Sequence, residues 1–371
     1  MNGQNINIDS DLPRVLLAPL DWGLGHASRM VPLIKLLELQ GVSVMIATSG
    51  PCQKLLMEEL PGRAFIPLPG YHIKYGRSRM FFLLKLLFQM PRVWRMYKKE
   101  HQWLKNLLQT QKIDAVISDN RYGLYHPAIP SVFISHQLCI DTGWRPLNKL
   151  AQKINYRLIQ KFCECWVPDW PLQGLAGKLS HPEYMPTVPV KYMGPLSRFS
   201  KKITPAEGAQ LFILLSGPEP QRSIWEQQLI GQLKHYPGKA ILVRGLPAST
   251  EVLSLPENIT VYPFLNSAQM QVHLQEASWV ICRSGYSTVM DLIALGKKAI
   301  LVPTPGQGEQ EYLAQHLMQE GYFFSCSQQA FQINKTMEAA SAFTTKGIEK
   351  MDETLPITVV KNWLATLQAK L

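Results

Sequence analysis

His26 lies in the segment Asp21-Trp22-Gly23-Leu24-Gly25-His26-Ala27-Ser28-Arg29, directly after the apolar run Arg14 to Pro19. An imidazole after glycines at a strand end can reach a cleft, and its unperturbed pKa near neutrality suits it to take a proton from a hydroxyl. Asp119, where the apolar run Ile113 to Ser118 gives out, is placed to orient that imidazole or to act as base itself. A second constellation runs from Trp279 to Tyr312. Ser284 and Gly285 make a turn with free amides ahead of a helical pattern, where N–H groups and the positive end of a helix dipole suit a phosphate or diphosphate. Asp291, about two turns further on, can accept from ribose hydroxyls, and the loop Thr304 to Glu311 carries Gln307, Glu309, Gln310 and Glu311. Together these groups can hold a nucleotide and read a sugar's hydroxyls.

The elements that must position them follow from apolar periodicity. Arg14 to Pro19, a helix from about Ser28 to Gln40 ended by Gly41, and Val42 to Thr48 read as a βαβ unit of Rossmann type, although its glycines do not fit the dinucleotide fingerprint. Ile113 to Ser118, Ser131 to Ser135 and Cys163 to Pro168 read as further buried strands, with Asp119, Arg121 and His136 just past two of them. A helix is expected over Pro146 to Phe162, with Leu147, Leu150, Ile154 and Leu158 on one side and Lys149, Lys153, Arg157 and Lys161 on another. Ser200 to Gly208 is polar and reads as a linker. Beyond it, Gln210 to Leu215, Ala240 to Arg244, Ile259 to Tyr262, Trp279 to Cys282 and Ala299 to Val302 alternate with helical segments, which implies a second parallel sheet. The fold class is therefore α/β, with two Rossmann-like domains facing across a cleft.

Arg283-Ser284-Gly285, an acidic residue eight positions after the Arg, a Val-Pro after the next strand and an acid-Gln pair opening the next helix resemble the carboxyl-terminal donor site of family 28 glycosyltransferases. The Gly-Leu-Gly-His loop is similar to that family's amino-terminal loop, whose His faces the interdomain cleft. The resemblance implies a GT-B fold, with residues 1–199 as an acceptor-binding domain, 200–355 as a nucleotide-sugar domain, and 356–371 as a helix returning to the first. It implies a UDP-sugar as donor substrate, no cofactor, and inverting transfer to a lipid-linked or amphipathic acceptor. Donor contacts would come from Arg283, Ser284, Gly285, Tyr286, Ser287, Asp291, Glu309, Gln310 and Glu311, with Phe264 and Leu265 at the base. Ser216 and Gly217 open a second diphosphate loop. That loop departs from the family's Gly-Gly-Ser, because Pro218 and Pro220 remove two amide donors. Arg222 is therefore expected to supply charge through its planar fork, with Arg244 as a weaker candidate. His26 is the expected base and Asp119 the alternative; Gly25, Arg121 and His136 are expected to bind the acceptor. Asp291 is a methylene shorter than the family's Glu, so a bridging water is an alternative there.

Composition narrows the classes. The chain has 371 residues, enough for two cores, and is 46% hydrophobic. Its six cysteines include no CxxC pair and read as reduced core residues of a cytosolic protein. The net charge of +11 calls for an anionic partner. Ten basic residues and one acid fall between Tyr71 and Lys112, interleaved with aromatic and aliphatic side chains. Lys85 and Pro91 interrupt that run, so it suits an anionic membrane interface better than a span. Such a protein would sit peripherally on the cytoplasmic face. No nucleic-acid motif accompanies the charge. The Asp-x-Asp at Asp9-Ser10-Asp11 lies in a polar tail, so no metal site is expected. Two rival readings remain at this level: a UDP-sugar hydrolase or epimerase on the same fold, and a non-catalytic sugar-nucleotide-binding subunit.

Overall fold

The computed structural model describes residues 12–71, 79–141, 145–200, 210–247, 249–346 and 354–369, with backbone alone for 79–90 and 145. The polar start of the chain, Lys74 and Arg77 of the basic stretch, and nearly all of the Ser200 to Gly208 linker lie outside the described residues.

Strands β1 (Arg14–Pro19), β2 (Ser43–Thr48), β3 (Ala64–Pro67), β4 (Ala115–Asp119), β5 (Ser131–Ile134), β6 (Glu164–Val167) and β7 (Val190–Tyr192) form a seven-stranded parallel sheet. Its order is β3-β2-β1-β4-β5-β6-β7. Helices α1 (Leu24–Leu39), α2 (Gly50–Glu59), α3 (Arg79–Thr110) and α4 (Arg145–Ile159) belong to this half. Val15, Leu16, Leu17 and Ala18 are all fully buried. Val15 and Leu17 belong to one apolar cluster and Leu16 and Ala18 to another, so alternate residues face opposite layers. A central parallel strand covered on both faces reads as an unbroken apolar run for this reason.

The second sheet contains β8 (Gln210–Leu214), β9 (Lys239–Val243), β10 (Ile259–Tyr262), β11 (Ala277–Cys282), β12 (Ala299–Leu301) and β13 (Phe324–Ser325), in the order β10-β9-β8-β11-β12-β13. Its helices are α5 (Gln221–Leu233), α6 (Ser267–Glu276), α7 (Tyr286–Leu295), α8 (Gly308–Gln319) and α9 (Ile333–Ala342). The final helix, α10 (Thr354–Gln368), buries Val360, Trp363, Leu364 and Leu367, one stripe at i, i+3, i+4 and i+7. It packs against α1 and β7 of the first half, with Trp363 edge-on to Trp166 at 5.4 Å between ring centroids.

Both sheets reverse their strand order once near the middle, between β1 and β4 in the first and between β8 and β11 in the second. Loops leaving the carboxyl ends of strands on either side of such a reversal diverge and leave a crevice, where open α/β sheets take ligands. Pro19 and Asp119 are register partners at the first of these points, and Leu214 and Cys282 at the second.

Three local expectations change. Helix α1 begins at Leu24, so Gly25 and His26 occupy its first turn instead of a loop. The Tyr71 to Lys112 stretch contains a 32-residue helix that continues through Pro91. Beyond Pro91 it exposes Arg92, Trp94, Arg95, Lys98 and Lys99 and buries Met96, Glu100 and Leu104. On α4 the buried positions are Asn155 and Ile159, while Leu150 (56% exposed) and Ile154 (44%) share the outer surface with Lys149, Lys153 and Arg157. Two of the four residues expected on the apolar side are thus turned outward. No helix among the described residues is long and apolar enough to cross a membrane.

Candidate active site

The carboxyl end of β4 places Asp119, fully buried, beneath the first turn of α1. Asp119 Oδ2 lies 2.9 Å from His26 Nδ1 and accepts from Arg29 Nε at 3.1 Å, while Arg29 Nη2 donates to Oδ1. His26 and Arg29 are three apart on α1, so one turn of helix presents both to one carboxylate. Burial by itself would raise the Asp119 carboxyl; Arg29 and His26 outweigh it and hold the group below its ordinary value. Burial lowers the His26 pKa, Asp119 opposes that, and Arg29 and His136 add to it. Arg29 Nη2 also stands 2.8 Å from His26 Nδ1. Asp119 accepts only and Arg29 donates only, so the two contacts at Nδ1 ask for opposite tautomers; Arg29 Nη2 already has Asp119 Oδ1 as an acceptor, which leaves the Nδ1–H form to serve Oδ2. Nε2 then keeps its lone pair, and among the described residues no hydrogen bond is made to it.

The same arginine reaches the next strand end. Arg29 Nη1 is 3.1 Å from His136 Nδ1, and His136 Nε2 is 2.8 Å from Glu309 Oε1 at the start of α8. With Nδ1 accepting from Arg29, the Nε2–H of His136 donates to Glu309, so one chain of hydrogen bonds runs from the first domain to the second. Burial would raise the Glu309 carboxyl, but His136 overrides this and lowers it. The His136 ring stacks on Tyr286 at 4.2 Å between centroids, and the Tyr286 hydroxyl donates to the Pro168 carbonyl at 2.8 Å. Ser287 donates across the cleft to the Gly25 carbonyl at 2.9 Å. A Cβ at residue 25 would stand 2.8 Å from the Ser287 hydroxyl, so glycine is what lets the first turns of α1 and α7 approach this closely. Both ring nitrogens of His136 are used, and this histidine bridges the domains where a free acceptor contact was expected.

Around α7 the hydroxyl of Ser284 donates to the Gln310 carbonyl at 2.7 Å. The Gln310 side chain accepts from the Thr304 amide and Glu311 from the Gly306 amide, both at 2.9 Å. These two side chains shape the Thr304–Gly306 loop. The α7 N-cap, Gly285, provides no side-chain cap, so the first-turn amides face the crevice without an internal acceptor from that residue. Phe264 and Leu265 follow β10, with Leu265 buried and Phe264 partly so; Asn266 then caps α6 through a reciprocal box with Gln269. Ser216 and Gly217 follow β8, and Gly217 has φ of 108°, a left-handed conformation open to glycine. Asp291 accepts from the Ser197 hydroxyl at 2.6 Å; burial raises its carboxyl to about 6 against the opposing pull of Arg198.

Four arginines do not stand as expected. Arg222 is 6% exposed, and its fork is taken by Glu219 at 2.5 Å and Glu226 at 3.2 Å, two partners three and four residues along the chain. Arg244 pairs with Glu226 at 2.6 Å and Glu251 at 2.7 Å. Arg283, 1% exposed and lying over the Trp225 ring, donates to the Val302 and Pro303 carbonyls and to Gln328, so it ties strand ends together. Arg121 is fully buried, 2.7 Å from Glu100 and bonded to the carbonyls of Pro19 and Pro69. Arg283 is bonded to carbonyls and Gln328 and keeps an Nε without a partner among the described residues, while Arg222, Arg244 and Arg121 are held by carboxylates, whose hold on a buried charge is strong. The i,i+3 and i,i+4 spacing of Glu219, Arg222 and Glu226 was a readable signal of this. Arg29, by contrast, joins the site without having been assigned a role; only the fold reveals that Asp119 and His136 converge on it.

Two parallel α/β domains, each with a strand-order reversal at the carboxyl ends of its strands, have the GT-B architecture found in glycosyltransferases. The second domain is of the family 28 type: residues 219–356 match the glycosyltransferase family 28 C-terminal domain. An uncharacterised glycosyltransferase of Methanosarcina acetivorans is 24% identical over 323 residues, covering 81% of this chain and 82% of that protein. The UDP-N-acetylglucosamine–N-acetylmuramyl-(pentapeptide) pyrophosphoryl-undecaprenol N-acetylglucosamine transferase of Desulforudis audaxviator is 44% identical over 68 residues, 18% of each chain. Among solved structures, the glycotransferase of kitacinnamycin superposes with a TM-score of 0.64 over 96% of this chain and 95% of that one, at 14% identity. At that identity the likeness concerns the fold.

Proposed function

We propose that this enzyme transfers a sugar from a UDP-sugar to a hydroxyl of a lipid-linked or amphipathic acceptor, with inversion and without a metal. The observation that carries the reading is His26 with Nδ1 on the buried Asp119 carboxylate and Nε2 without a hydrogen bond among the described residues. In this scheme Nε2 takes the acceptor's hydroxyl proton as the oxygen attacks the anomeric carbon from the face opposite the diphosphate. The bond to the diphosphate breaks, Asp119 stabilises the imidazolium, and a single displacement inverts the centre. The α7 amides and dipole receive the developing charge on the leaving diphosphate. Glu309 and Gln310 stand at the sugar, Asp291 at the ribose, and the Phe264–Leu265 segment at the base. UDP is favoured because the relatives from Desulforudis audaxviator and Haemophilus ducreyi are named for UDP-N-acetylglucosamine.

The test measures UDP release by the purified chain with and without a lipid extract. Release that depends on the extract is expected. Brisk release in plain buffer would make the enzyme a hydrolase, and failure to bind any nucleoside diphosphate would sink the reading.

An amphipathic acceptor implies a membrane surface, on the cytoplasmic face in this reading. Support comes from Arg92, Arg95, Lys98, Lys99 and Trp94 outward on α3, and from Lys149, Leu150, Lys153, Ile154 and Arg157 outward on α4. A basic face with interleaved apolar side chains gains both from anionic headgroups and from shallow burial. Replacing Arg92, Arg95, Lys149 and Lys153 by Ser should remove most sedimentation with phosphatidylglycerol-containing vesicles in low salt. Equal sedimentation of both proteins would refute the membrane face.

A further inference from the structure

Arg222 and Arg244 are held in ion pairs and Arg283 is bonded to carbonyls and Gln328, so other groups must meet the donor's leaving group. Residues Leu214, Cys282 and Leu301 are register partners across β8, β11 and β12. Three residues beyond each of them stand Gly217, Gly285 and Thr304, so three adjacent strand ends bring these positions to the same edge. The Thr304 side chain is 1% exposed, and its hydroxyl has no hydrogen-bond partner among the described residues. It points at the Gly217 turn, 3.6 Å from where a Cβ on that residue would stand. Its backbone is fixed, because the Thr304 amide donates to the Gln310 side chain at 2.9 Å. A buried hydroxyl without a partner is costly, on the order of 1–3 kcal/mol, and such groups are rare in native interiors. Here the hydroxyl sits beside a glycine turn, at the end of the strand paired with the one that leads into the uncapped ten-residue α7.

We infer that the Thr304 hydroxyl is a ligand of the donor's diphosphate, completing a cradle of neutral donors from the Gly217 turn, the α7 amides and Thr304. The inference rests on the UDP-sugar reading and assigns it a residue that the sequence had left as loop. A hydroxyl can donate to a phosphate oxygen while its methyl packs in the protein, so Thr304 binds the leaving group without importing a charge. A cradle of this kind depends on the position of one hydroxyl, and Val keeps the shape of Thr while removing it.

Calorimetric titration of the wild type, Thr304→Val and Thr304→Ser with UDP and with uridine tests this. Thr304→Val should weaken UDP binding by about 10-fold, the size of one hydrogen bond to a charged group, and leave uridine affinity unchanged. Thr304→Ser should restore most of the UDP affinity. Equal UDP affinity in the wild type and Thr304→Val would overturn this inference alone. So would an equal loss for UDP and uridine, since that is what a change in packing produces. A wild type that binds no nucleoside diphosphate would overturn the UDP-sugar reading and this inference with it.

Discussion

His26→Ala should lower turnover by at least ~100-fold, the lower end of a general base's contribution, while UDP affinity changes little. The separation follows from the proposed roles: the imidazole, held by Asp119, acts on the acceptor hydroxyl, whereas the nucleotide is assigned to the ends of β8 and β11. The pH profile supplies a second signature. Burial brings the His26 pKa below its ordinary 6.5, so the basic form is already present at neutrality. The profile of kcat/KM should therefore rise with pH and level off below about 6.5. In Asp119→Asn the contribution that raises the imidazole pKa is removed, so the acid limb should move to lower pH while the plateau drops. Unchanged turnover in His26→Ala would take the imidazole out of the chemistry.

Arg121→Met should cost the first domain about 3–5 kcal/mol in denaturant unfolding, the usual penalty for stranding one member of a buried ion pair. Glu100 and Arg121 are both fully buried and 2.7 Å apart, and Glu100 also accepts from the Tyr71 hydroxyl at 2.7 Å and the Gly123 amide at 3.2 Å. This cluster fastens α3 to the β4 end that carries Asp119. Burial already raises the Glu100 carboxyl, with Arg121 as the chief opposing influence. Without Arg121 the carboxyl would bind a proton more readily still. A group whose folded pKa lies above its unfolded value favours the folded state at low pH and loses that advantage as pH rises. The destabilisation of Arg121→Met should therefore be smaller at pH 5 than at pH 8. Arg121→Met with Glu100→Leu should recover much of the loss, since an apolar pair of similar volume needs no charge compensation. A loss under ~1 kcal/mol in the single variant would show that Glu100 is held by its other donors.

In the proposed reaction the base would stand among the contacts that join the two domains. His136 to Glu309, Ser287 to Gly25 and Tyr286 to Pro168 all cross the cleft and converge around His26. Glu309 occupies the position at which sugar hydroxyls would compete for its carboxylate in the proposed reaction. Donor binding and the His136 bridge would then be coupled through one side chain. Arg29 is the common partner, bonded to Asp119 and adjacent to both histidines.

The chain itself determined the two-sheet plan, because central parallel strands buried on both faces must be continuous apolar runs. Arg14–Pro19, Ala115–Asp119 and Ala277–Cys282 stand out on that account. The short edge strands Ala64–Pro67 and Phe324–Ser325 carry too little of the pattern to be distinguished from loop. Periodicity likewise located the turn before α7, since the amino end of a helix after a buried strand has a local signature. What tertiary structure decided was the fate of each charge. Arg244 and Glu226 are 18 residues apart, Arg121 and Glu100 are 21 apart, and His136 and Glu309 are 173 apart. Arg222, three and four residues from its partners, carried a local signal; for the others, whether a charge meets a ligand or a counter-charge depends on side chains delivered by other elements, which no spacing along the chain encodes. The same holds for Thr304, whose hydroxyl has no partner among the described residues where three strand ends meet, and for α4, whose outward Leu150 and Ile154 depend on which neighbour the helix packs against.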